Sequence, residues 1–172
     1  MITQALLFIF PLCMAVTLVS DAVRMTIPDS VSMALLAFFI VLALWIGLPV
    51  AQIGMHLLCG LVVFLVCLGL FAAGVMGGGD AKVLTASAVW FGFGSALMSY
   101  LLMISLLGGV LSLIFVVVRS RSDLLLASRI PLPAHFYDSK AGVPYGIAIG
   151  IAGLVCYAQS GLMLHSLGPV VS

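Results

Sequence analysis

The sequence predicts an all-α, polytopic membrane protein whose six transmembrane helices form one bundle, and three observations carry that reading. First, 65% of the 172 residues are hydrophobic and only 6% are charged, with a mean hydropathy of +1.40, whereas a water-soluble domain carries roughly 25% charged residues. Second, the apolar residues fall in runs of about 20, the length that crosses a ~30 Å hydrocarbon core at 1.5 Å per residue. Third, all six basic and all five acidic side chains fall in three segments, 21–30, 77–82 and 119–142.

Ile2 to Ser20 is the first apolar run. It lacks a basic leading region and a small-residue cleavage site, so it reads as a retained span rather than a signal peptide. The span is expected to end at Asp21. Pro28 biases Ile27 towards an extended backbone, and Asp29 or Ser30 is placed to cap the next helix. Val31 to Leu48 is the second run, closed by Pro49, and Ile53 to Met76 is the third. The uncharged stretch from Val83 to Val118 would extend about 54 Å as one helix, too long for a single crossing. Two spans are needed, with the break near Gly92-Phe93-Gly94-Ser95. Arg119 to Gly142 is the only long polar segment, and the last run goes from Val143 to about Leu162.

Parity supports six spans, because an even count puts every Lys and Arg on one side of the membrane. The positive-inside rule names that side cytoplasmic, so both termini lie on the outer side, the periplasm of a bacterial cell. The whole chain, 1–172, reads as a single integral-membrane domain.

No phosphate loop, nucleic-acid-binding patch or metal-ligand cluster is present. Cys13, Cys59, Cys67 and Cys156 each sit in an apolar run without a Cys-x-x-Cys pair, which makes them small buried hydrophobes rather than zinc or redox ligands. His56 and His165 fall near the outer face, and His135 falls in the polar segment.

The chemistry lies in the acids. Met76-Gly77-Gly78-Gly79-Asp80-Ala81-Lys82-Val83 puts three glycines, a carboxylate and an amine at a membrane boundary, where a charge needs a partner or a use. Glycines before Asp80 let another backbone or a substrate come close. Asp21 is the best candidate for a second carboxylate, at the same edge and comparable depth. Two carboxylates held together share a proton, so one takes a proton from water while the other hydrogen-bonds a peptide carbonyl. Such a pair needs no metal or organic cofactor. The residues alone leave another reading open: these acids mark loop ends, cap helices or pair with Arg24 and Lys82. For Asp29, capping is the preferred reading.

Gly77-Gly78-Gly79-Asp80 followed by Lys82 resembles the GxGD signature of the type IV prepilin peptidases. Asp21, seven residues before Pro28-Asp29, resembles their first-aspartate motif, and Pro144-Tyr145-Gly146 resembles a further family element. The resemblance covers nearly the whole chain. It implies a membrane aspartic endopeptidase that removes the short basic leader from prepilin or pseudopilin substrates at the cytoplasmic face of the bacterial inner membrane. By the same resemblance, Asp21 and Asp80 are the catalytic pair, with Gly77, Gly79, Lys82 and Pro28 as the frame of the active site. Larger members add a Cys-x-x-Cys segment and methylate the new pilin terminus. This chain lacks that segment and resembles the short, peptidase-only members that serve Flp/Tad pili. Membrane lipid is the other expected partner, and nucleic acid is not one. A non-catalytic scaffold of a pilus or secretion machine, or a small transporter, are the alternatives. Transporters usually hold their ionisable groups near the bilayer midplane, whereas every charge here lies at one edge.

Overall fold

The structure is a computed structural model, and it describes residues 2–120, 142–160 and 162–163. The described residues form six α-helices: α1 (Ile2–Arg24), α2 (Asp29–Trp45), α3 (Val50–Ala72), α4 (Gly78–Phe91), α5 (Ser95–Ser120) and α6 (Tyr145–Cys156). A short 3₁₀ turn, Tyr157–Gln159, follows α6. Three segments are long and apolar enough to cross a membrane, namely Leu7–Arg24, Val50–Ala72 and Ser95–Val118. The break expected near Gly92–Ser95 lies between α4 and α5, where Gly92 closes α4 at φ +64°, a left-handed backbone that glycine adopts without strain.

α4 is the centre of the bundle. Val83, Leu84 and the whole run Ala86–Phe91 are buried, and α2, α3 and α6 pack around it. Between apolar helices in lipid, close packing takes over much of the work that the hydrophobic effect does in water. The contact of α6 with α1 shows how. Gly146, Gly150 and Gly153 form one small-residue stripe on α6. A Cβ on each would come within 2.8 Å of Asp21, Leu18 and Met14 respectively, so only glycine admits α1 this closely. Away from the charged end, Phe10, Trp90, Phe91, Tyr100 and Tyr157 form a buried aromatic cluster, in which Phe10 stacks on Tyr157 and Phe91 on Tyr100. Trp90 Nε1 donates to the Leu35 carbonyl of α2 at 3.0 Å, satisfying the buried indole N–H. His56 Nδ1 meets the Val89 carbonyl at 2.7 Å, tying α3 to the last turn of α4. All four cysteines are free and buried.

Helix boundaries differ from the sequence expectation in two places that matter. α1 does not stop at Ser20 but continues to Arg24, so Asp21 lies within the helix, one turn before its end. α4 begins at Gly78 rather than Val83, which puts Asp80 in its first turn. In both cases helical hydrogen bonding runs past the point where the apolar pattern stops, because a helix end needs only water or a cap, not an apolar side chain. The part of the polar segment that holds Arg121, Asp123, Arg129, His135, Asp138 and Lys140, and likewise His165, lies outside the described residues.

Candidate active site

Asp80 owes its position to the glycines before it. Gly77 is the N-cap of α4, with ψ 146°, and no side chain caps the helix there. Counting from that cap, Asp80 is the third helical residue, from which a side chain can reach back to the N-cap amide. It does so: the Asp80 carboxylate accepts the Gly77 N–H. A Cβ on Gly77 would stand 2.9 Å from Asp80 Oδ2, so the turn leaves no room for a side chain. Gly79 lines the same cavity as the two carboxylates, and a Cβ added there would meet Ile27 at an ordinary 3.6 Å.

Asp21 comes from the end of α1 and is buried, with 4% of its surface exposed. The backbone N–H of Gly146, in the first turn of α6, donates to Asp21 Oδ2 at 2.7 Å. The same amide also reaches the Asp80 carboxylate. Two helix N-termini, those of α4 and α6, thus direct their free N–H groups and positive dipole ends at the two carboxylates. Sequence reasoning placed Gly146 only as a secondary family element. Its part in the site is carried by a backbone amide, which leaves no side-chain signature.

Asp21 and Asp80 face each other across a shared space. Both line a cavity of about 270 Å³ with Ile27, Asp29 and Gly77–Gly79. Both also line a larger one of about 610 Å³ with Gly74–Gly77, Ser112 and 142–145. Two like charges facing each other across one cavity do not both ionise easily, so a pair of this kind holds one proton between them. Met25 lines both cavities and closes α1 at φ 51°, a strained left-handed backbone for a residue with a Cβ.

One sequence expectation needs correcting here. Asp29 is not a helix cap: Pro28 holds the N-cap position of α2, with ψ 133°, and makes no side-chain cap bond. Lys82 Nζ lies 2.7 Å from Asp29 Oδ1 in an exposed ion pair that links α4 to the start of α2, and Asp29 in turn lines the cavity of the carboxylate pair. Among the described residues, no group of three or more His, Cys, Asp or Glu could hold a metal ion.

The family profile of the type IV leader peptidases matches residues 8–117, a stretch that contains α2, α3, α4 and both aspartates. The chain belongs to the type IV leader peptidase family. Neither a curated protein nor a solved structure matches it. This leader peptidase family member carries Asp21 and Asp80 inside the matched stretch, while Gly146, the donor to Asp21, falls beyond it.

Proposed function

We propose that the protein is an aspartic endopeptidase that removes the leader from prepilin-like substrates, pilins or pseudopilins of the Flp/Tad type, with Asp21 and Asp80 as the catalytic pair. The observation that carries this reading is the convergence of the two carboxylates on one cavity in a member of the leader peptidase family. Asp80 holds the shared proton and donates it in a hydrogen bond to the carbonyl oxygen of the scissile peptide. Asp21 is the ionised partner and takes a proton from the attacking water. The new C–O bond forms as the carbonyl becomes a tetrahedral gem-diol. Proton return to the leaving nitrogen then breaks the C–N bond. Water is the nucleophile throughout, so no covalent enzyme intermediate forms.

The pair lies at the end of the bundle that holds Arg24, Asp29 and Lys82, and we assign that end to the cytoplasmic face of a bacterial inner membrane. Six crossings with both termini outside follow from that assignment. α4 and α6, about 21 and 18 Å long at 1.5 Å per residue, are the short crossings.

The test is cleavage of a leader-bearing prepilin in membranes by Asp21→Asn and Asp80→Asn at matched expression. Each variant alone loses nearly all turnover, and the double variant is scarcely worse, because groups acting as a unit are non-additive. Robust cleavage by either single variant would refute the aspartic mechanism. Full assembly of a pilus machine by both uncleaving variants would favour the scaffold reading.

A further inference from the structure

Val75, Met76 and Tyr145 line two cavities at once, the one that holds Asp21 and Asp80 and a second, apolar cavity of about 570 Å³. The second cavity is a groove between α3 and α5, floored by Leu84 of α4. Its wall on α3 runs from Cys59 to Leu70 and its wall on α5 from Leu97 to Gly109, each about 17–18 Å at 1.5 Å per residue. It is therefore a long apolar channel along the direction of the spans, and one end opens on the carboxylates. Tyr145 stands at that end. Its hydroxyl lies 3.1 Å from Ser112 Oγ. Its ring fills the space over Gly108, where an added Cβ would come within 2.5 Å of Cε1.

We propose that this groove receives the apolar segment flanking the scissile bond of the substrate, and that Tyr145 sets which side chain fits beside that bond. The inference rests on the peptidase function proposed above. Continuity is the first argument: a chain lying in the groove passes Tyr145 and presents its next peptide group to Asp21 and Asp80. Polarity is the second, since the lining changes from apolar side chains to carboxylates, backbone amides and Ser112 at Tyr145, as a membrane-embedded peptide changes at its cleavage point. Charge is the third. A phospholipid whose acyl chain filled the groove would bring its phosphate against the two carboxylates, where like charges repel, whereas a peptide group is neutral.

The test uses the full chain in lipid nanodiscs, with Cys13→Ala, Cys59→Ala, Cys67→Ala and Cys156→Ala to remove the native thiols, two of which line the groove, and Asp80→Asn to hold an uncleaved substrate that carries one cysteine in its apolar segment. Val66→Cys, in the groove, should form a disulfide cross-link. Leu65→Cys, on the adjacent, exposed face outside the groove, should not. Separately, Tyr145→Ala in the otherwise unaltered enzyme should change the kcat/KM ratio between a bulky and a small residue beside the scissile bond by about tenfold, as pocket size does for substrate side chains. Tyr145→Phe should keep the original ratio. Equal cross-linking at 65 and 66, or none at either, overturns the groove assignment, as does a fall in activity of Tyr145→Ala that is the same for every substrate. Groove cross-links with no cleavage by the unaltered chain would instead overturn the peptidase reading. Cleavage without groove cross-links would overturn only this one.

Discussion

The backbone amide of Gly146 donates to Asp21 Oδ2 at 2.7 Å, joining residues 125 positions apart at the meeting point of α1 and α6. A Cβ on Gly146 would fall 2.7–2.8 Å from Asp21 Oδ2, Cγ and Cβ, too close for any of them to stay in place. Gly146→Ala is therefore expected to push the Asp21 carboxylate out of register. A displacement of this size costs about 10²-fold in turnover. Cleavage assays on folded, membrane-inserted protein would check this, and activity within threefold of the parent would contradict it.

Cleavage should decline at alkaline pH, when the pair of the proposed mechanism gives up its shared proton. A profile flat from about pH 6 to about pH 9 would contradict the proton assignment.

Lys82 and Asp29 form an exposed ion pair, with 54% and 68% of their side chains accessible. Pairs of this kind contribute about 0–1 kcal/mol. Lys82→Met and Asp29→Asn should each keep most of the cleavage activity with an unchanged pH profile, and a double-mutant cycle should return a coupling within that range. A loss comparable to that of Asp80→Asn would give Lys82 an electrostatic role in the pair.

Topology is read by reporters. A fusion at residue 121 should report cytoplasmic and one at Ser172 periplasmic. Both on one side would dismiss the six-crossing arrangement.

Much of this was legible in the sequence. The excess length of the uncharged run from Val83 to Val118, too long for one helix across a bilayer, located the break that Gly92 makes between α4 and α5. Asp80 was legible because three glycines precede it in an apolar chain. The lateral position of Lys82 was not, because its partner Asp29 is 53 residues away and no local pattern encodes that pairing. Asp21 looked like the start of a loop, as charge interrupts the apolar pattern but leaves the α1 hydrogen bonds intact. Gly146 contributes an N–H that every residue but proline possesses. Its only trace was its place in the Pro144-Tyr145-Gly146 element.

α4 is short, carries Asp80 and Lys82 in its opening turns, and is covered by its neighbours over most of its surface. Such a segment is a poor independent passenger through the insertion machinery and enters the bilayer only in the company of other helices. The last helix among them to leave the ribosome is α6, which also carries the amide that holds Asp21. A nascent chain halted before residue 143 thus possesses both aspartates without the surroundings that pair them. On the function proposed above, hydrolysis would therefore await the insertion of α6.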